Sequence, residues 1–405
     1  MGIGKFEWGE TRYDTLVDNG HPDKRLDIAI MGDGYAADEM ELYRKDVDTL
    51  IAAFREHEPT ATYFNHLNFH RLNIIAPETG IYDRYNVPER AAVPGKGLVR
   101  EANIFLRRLI GKFPKRARSP LGSHFSVISP RRLVGWDWRV FQVANWSGAP
   151  YDSCLVIVNT PRRGGATRFW LTVGYASRNS SDYPEIMIHE AGHSIAKLND
   201  EYVDPLFPNF GFLKGKRAPV YLPFANNATN PHKPKWHPWI EPDTTLPTQF
   251  HPDHIDDTVG AFEGATYTAY GVYRPTADCM MRRHSQPFCQ ICQEQYIKRI
   301  YRRSVIADER TPNVDPTVKV GERVRFSAEV IKPQHIKTIW RTRTPLGMWS
   351  NRQETADFAP TSLVFNEAGL WTVECILEDH SPKLRKPDVI RSTQQKLRWI
   401  VRVHG

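Results

Sequence analysis

With 405 residues and 40% apolar content, the chain can bury a full core and is long enough for two or three domains. No run of about 18 apolar residues occurs, so no membrane span is expected, and Met1 to Glu10 lacks the apolar stretch of a secretory signal. The net charge of +8 would suit a polyanion, but the basic clusters at Arg107 to Arg118, Arg131-Arg132 and Arg302-Arg303 accompany no nucleic-acid motif, so no nucleic-acid partner is expected.

In chain order, Leu26 to Ile30 reads as a short apolar strand stopped by Gly32-Asp33-Gly34. Met40, Tyr43, Val47, Leu50, Ile51 and Phe54 then recur at helical spacing, and Phe69 to Ala76 forms a second strand ended by Pro77. This β-α-β order predicts a layered α/β domain. Residues 80–100 read as a loop over a cleft, and Asn103 to Phe113 as a helix. Cys154 to Val158 is a buried-strand run, broken beyond by Gly164-Gly165. Trp170 to Tyr175 is a further strand, and its Leu171 to Tyr175 portion is the expected platform for an extended substrate, because peptides bind sheet edges through main-chain hydrogen bonds. Ser180-Ser181-Asp182 supply cap-type residues before Pro184 opens a helix through Leu198.

The stretch 203–278 is dominated by Pro, Asn, Trp and His without periodicity, and reads as the wall of a site. Residues 288–303 are helical again. Pro312 to Pro316 marks a boundary, after which Val318 to Val330, Ile336 to Arg341, Leu363 to Phe365, Leu370 to Leu377 and Leu397 to Val403 alternate like strands, with Trp340 in a middle one. Residues 1–310 are therefore expected to form one domain and residues 316–405 an all-β, Ig-like sandwich.

The chemistry centres on His189-Glu190-Ala191-Gly192-His193, an H-E-x-x-H on a run of helical apolar spacing. Histidines four residues apart lie one turn above each other, so both imidazoles can reach one zinc ion while Ile188, Ala191 and Ile195 turn toward the core. Catalytic zinc keeps an open position for water, and Glu190 is placed to accept that water's proton and pass it to the leaving amine. A third protein ligand is needed. Asp200 is the first choice, as a short carboxylate close to the turn after the helix; Glu201 is the alternative, followed by a more distant residue. Of five cysteines, Cys279, Cys289 and Cys292 lie close in sequence. In an oxidising compartment a local disulfide among them is expected, since a closed zinc site would need a fourth ligand such as His284.

The pattern H-E-x-G-H-S-x-x-x-L-x-D-E-Y, matched by His189 through Tyr202, resembles the IgA-cleaving metallopeptidase family of bacterial zincins. Met31 to Tyr35, Val158-Asn159 with Gly164-Gly165, Phe262 to Ala265, Gly271 to Pro275, Cys279 to Arg282 and Phe288-Cys289-x-x-Cys292 agree with that family in order. The resemblance implies an α/β (α+β) zincin-type catalytic domain and hydrolysis of a protein or peptide substrate, or a glycoprotein, outside or on the cell. It also implies a metzincin-like methionine turn beneath the metal, filled by Met280 or Met281. Where the family often has glycine, this chain has Ala196, which predicts a helix running slightly further before its turn. Tyr267, Tyr270, Tyr273, Arg274 and His284 are the candidates for stabilising the oxyanion. Two rival readings are a zincin-fold binding protein without catalysis and a zinc hydrolase of glycopeptide or another amide.

Overall fold

The computed structural model describes residues 6–83, 119–126, 131–167, 172–178, 182–204, 224–250, 258–332, 334–350 and 353–405, together with Ser129 and scattered positions between 85 and 106. The chain forms two compact units, one of Met1–Pro22 with Leu26–Cys292 and the other of Asp23–Arg25 with Gln293–Gly405.

The first unit is built on β1 (Glu7–Val17), β2 (Leu26–Asp33), α1 (Met40–Glu56), β3 (Leu67–Ile75), β4 (His124–Phe125), β5 (Leu133–Val134), α2 (Asp137–Ser147), β6 (Ser153–Val158), β7 (Gly165–Thr167), β8 (Val173–Ser177) and α3 (Tyr183–Ser194). Six strands form one sheet in the order β1-β3-β2-β6-β8-β7. Its central strands β3, β2, β6 and β8 run parallel, and both edge strands are antiparallel to their neighbours. Parallel strands are covered on both faces, which is why β2 and β6 are apolar almost throughout. On one face Ala29, Met31, Leu72, Val156 and Val158 pack with Val140 and Val143 of α2. From α1, the Tyr43 hydroxyl donates to the carbonyls of Ile30 at 2.9 Å and Leu72 at 3.1 Å, tying that helix to two strands.

The β-α-β reading of the first block agrees with β2, α1 and β3. Strand β1 was not expected, because its polar, half-exposed residues carry no apolar run. Trp170 and Leu171 lie outside the described residues. The strand after them is β8, which is paired on both sides, so it offers no free edge to a substrate. The edge on that side is β7, and at Gly165 its N–H already donates to the Arg131 carbonyl at 3.2 Å. Most of the expected loop at 80–100, the greater part of the Asn103 to Phe113 helix, the basic cluster Arg107 to Arg118 and the caps Ser180-Ser181 also lie outside the described residues. Within the aperiodic stretch 203–278, β9 (Phe262–Ala265) and β10 (Thr268–Arg274) pair as an antiparallel hairpin that irregular composition had hidden.

The second unit takes up most of α4 (Gln290–Ile300) and two sheets. The strands are β11 (Ala307–Thr311), β12 (Thr317–Lys319), β13 (Arg323–Val330), β14 (Ile336–Arg343), β15 (Gln353–Thr355), β16 (Thr361–Val364), β17 (Gly369–Asp379) and β18 (Gln395–His404). One sheet has the order β11-β13-β16 and the other β12-β18-β17-β14-β15. Phe326 of the first meets Trp399 of the second at 5.2 Å between ring centroids, and Trp340 stacks on Trp399 at 5.8 Å. The single strand expected over Val318 to Val330 is two, parted at Gly321, whose φ of 84° suits a turn. A short helix, α5 (Pro387–Ser392), interrupts the expected all-strand run. Among the described residues no helix is long and apolar enough to cross a membrane.

Candidate metal centre

Helix α3 enters over Asp182 with Pro184 in its first turn and lies against β7 and β8. It ends at Ser194, not Leu198, and Ala196 does not prolong it. A wide turn follows, in which the Leu198 N–H donates to the Gly192 carbonyl at 3.1 Å and Lys197 takes a φ of 56°. That left-handed residue does what glycine commonly does at a helix end. It sends the chain back beneath the helix, so that Asp200 reaches the histidines.

Asp200 Oδ1 lies 3.2 Å from both His189 Nε2 and His193 Nε2, and all three side chains are buried. The opposite nitrogens are committed. His189 Nδ1 donates to the Met280 carbonyl at 2.9 Å and His193 Nδ1 to the Leu198 carbonyl at 2.8 Å. A carbonyl can only accept, so these contacts put a proton on Nδ1 and leave Nε2 facing Asp200, where it could bind an ion. Two lone pairs and a carboxylate oxygen thus converge on one point. Burial opposes any charge on Asp200 and His193, yet their mutual attraction prevails: Asp200 is held well below the usual carboxylate range and His193 is raised to about 9. The cluster wants a cation. A proton bridges one pair only, whereas a divalent ion engages all three donors, and this donor set fits zinc.

Glu190 follows the first histidine and does not join the three. Its Oε2 is buried without a hydrogen-bond partner among the described residues. Burial, the largest influence, raises its carboxyl; His189 and His193 oppose this and Asp200 reinforces it. Two glycines make room for it. A Cβ on Gly165 would stand 3.0 Å from Glu190 Oε1 and 2.6 Å from Ile186 Cγ2, and one on Gly174 would stand 3.2 Å from Glu190 Cβ. The Thr167 hydroxyl donates to the Glu190 carbonyl at 3.1 Å, tying β7 to the helix at this residue.

Of the two acidic candidates, only Asp200 is beside the histidines; Glu201 turns to the opposite side, toward Cys279, Cys289 and Cys292. The disulfide expected among these cysteines is absent: all five thiols are free, and Cys279 and Cys292 Sγ are 3.8 Å apart. Nor does His284 join them. Its ring lies 4.8 Å from that of His189, where burial first, then His189 and Arg163, push it down to about 3 and keep it neutral.

The remaining oxyanion candidates separate by contact. Tyr267 donates its hydroxyl to Asp200 Oδ2. Arg274 is spent on the carbonyls of Glu263, Gly264 and Ala277, and Tyr270 is exposed. Nearness in sequence to the methionines points to Tyr267, but its hydrogen bond to the Asp200 carboxylate is a contact that no sequence signal announces. Met280 supplies its carbonyl to His189, while the Met281 sulfur would stand 2.8 Å from a Cβ on Gly192.

A family model described as IgA Peptidase M64 matches residues 15–98, 112–258 and 250–300. Comparison with curated proteins gives no match.

Proposed function

Because the chain belongs to the IgA peptidase M64 family and is a metallopeptidase, we propose that it is a zinc-dependent endopeptidase in which His189, His193 and Asp200 hold the metal and Glu190 is the general base. The observation that carries this reading is the convergence of His189 Nε2, His193 Nε2 and Asp200 Oδ1 beside a buried carboxylate with a free oxygen.

Zinc held by these residues would supply an acidified water and polarise the scissile carbonyl. The Glu190 carboxylate would take a proton from the attacking water and return it to the departing amine; its burial brings its basicity nearer to that task than an exposed glutamate's. Tyr267 fixes the orientation of Asp200 through Oδ2, and the Met280 and Leu198 carbonyls fix the tautomers of the two histidines. Neutral His284, with its ring against His189 and Arg163 Nη2 at 3.2 Å from its Nδ1, is the candidate that would donate from Nε2 to the carbonyl oxygen of a bound peptide. The family description points to a protein substrate, IgA or another.

We further infer that the first unit is a zincin-type domain and the second an Ig-like sandwich. Support for the first comes from the H-E-x-x-H helix lying on a mixed sheet with the Met280 carbonyl behind a ligand histidine. For the second it comes from two sheets whose facing aromatic side chains meet around Trp399. Metal analysis of the purified protein, alongside digestion of a peptide library by wild type and Glu190→Ala, tests the enzymatic reading. Zinc with hydrolysis abolished by the substitution is expected. Hydrolysis that survives Glu190→Ala would overturn the assigned base.

A further inference from the structure

Beyond the catalytic centre, we propose that Cys279, Cys289, Cys292 and Glu201 hold a second, structural zinc ion. The four ligand atoms lie within 4.8 Å of one another and all four residues are buried. Their spacing discriminates between bonding schemes. Cys279 and Cys292 Sγ are 3.8 Å apart, far beyond the ~2.05 Å of a disulfide. Two thiolates each at ~2.3 Å from one tetrahedral zinc are separated by about 3.8 Å. Cys292 Sγ and Glu201 Oε1 are 3.4 Å apart, against about 3.5 Å for a thiolate and a carboxylate sharing such an ion.

The surroundings suit an anionic cluster. The Cys289 N–H donates to Cys279 Sγ at 3.3 Å, and Asn226 Nδ2 donates to Glu201 Oε1 at 2.8 Å. Glu201 Oε2, the oxygen not offered to the cluster, is buried with no hydrogen-bond partner among the described residues, so the carboxylate's charge is costly there unless an ion at Oε1 offsets it. Thiolate ligands with no open position mark a structural zinc, not a catalytic one. What such an ion would fasten is specific. Glu201 follows Asp200, and its N–H donates to the Met281 carbonyl at 2.8 Å; Cys279 precedes Met280, whose carbonyl orients His189. The second ion therefore pins the segment carrying the third catalytic ligand to the turn beneath the first.

The test uses the full-length chain. Two zinc ions per chain are expected in wild type and one in His193→Ala. Reloading with Co2+ should give thiolate-to-cobalt charge-transfer absorption that persists in His193→Ala and vanishes in Cys292→Ser. Should Cys292→Ser fail to fold, the wild type suffices: Cys279, Cys289 and Cys292 should resist alkylation in the native protein until a chelator is added. A wild-type chain without the thiolate band would overturn the proposal, as would an intact mass revealing a disulfide between Cys279 and Cys292. The two sites fail separately, because one zinc with a thiolate band removes the catalytic assignment and leaves this one, and one zinc without it does the reverse.

Discussion

The Met280 carbonyl oxygen accepts the Nδ1 proton of His189 at 2.9 Å, across 91 residues of sequence. Through this bond the turn after β10 decides which nitrogen of the histidine faces Asp200. The candidate metal centre thus draws on a helix, the turn that directly follows it and one distant loop, and substitutions at each part should fail in different ways.

Glu190→Gln preserves size and shape but cannot take a proton from water. The variant should fold and retain metal, while hydrolysis of a peptide substrate falls by about 10² to 10⁴-fold. Metal content and turnover measured on the same preparation check it, and a wild-type rate with metal present would rule out Glu190 as the base.

Tyr267→Phe removes the hydroxyl that holds Asp200 Oδ2 and leaves the ring against Tyr202. Metal affinity should drop by roughly 10 to 100-fold, the usual scale for losing an outer partner of a ligand, and Asp200→Ala should drop it further. Competition against a chelator of known affinity reads both. Equal affinities for Tyr267→Phe and wild type would mean that the hydroxyl does not orient the carboxylate.

Gly192→Ala puts a methyl 2.8 Å from the Met281 sulfur and 3.1 Å from the Phe288 ring. Both must shift, at a cost of about 1 to 3 kcal/mol. The lowered unfolding midpoint should come with weakened metal binding, because Met281 adjoins the residue that orients His189. Thermal unfolding of the metal-loaded protein gives the first quantity; an unchanged midpoint would show that the methionine gives way freely.

In the second unit, Glu374 is buried between Arg341, which donates at 2.7 Å, and Arg398, at 3.0 Å. Burial raises its carboxyl, but the Arg398 and Arg341 hydrogen bonds outweigh that and hold it below the usual range. Its contribution to stability is therefore complete above the unfolded carboxylate pKa of about 4.3 and disappears as pH falls through the lower folded value. Glu374→Gln should cost about 1 to 3 kcal/mol at pH 7, and the gap from wild type should close as acid is added. Denaturant titrations at several pH values measure it, and a gap that stays constant into acid would contradict the linkage.

Much of the first unit was legible because parallel strands buried on both faces leave unbroken apolar runs, as in β2 and β6. The H-E-x-x-H spacing likewise carries its own geometry, since helical periodicity alone stacks His189 and His193. What sequence could not supply came from contacts between distant segments. Asp200 and Glu201 are adjacent and chemically alike, and only the backbone turn at Lys197 sends one to the histidines and the other to the cysteines. The exposed, polar strand β1 escaped notice for a different reason, because it joins the sheet by main-chain hydrogen bonds that side-chain patterning does not report.

The neutral backbone partners of His189 and His193 also fix the electrical character of the candidate metal centre. Carbonyl acceptors add no formal charge, so the centre's anions are the Asp200 and Glu190 carboxylates, together a formal match for a divalent cation. Neutralising Glu190, as Gln would, leaves one positive charge uncompensated in a buried place. Small anions that the native enzyme repels should then be drawn in, so carboxylate buffers would be expected to bind the Gln variant more tightly than the parent.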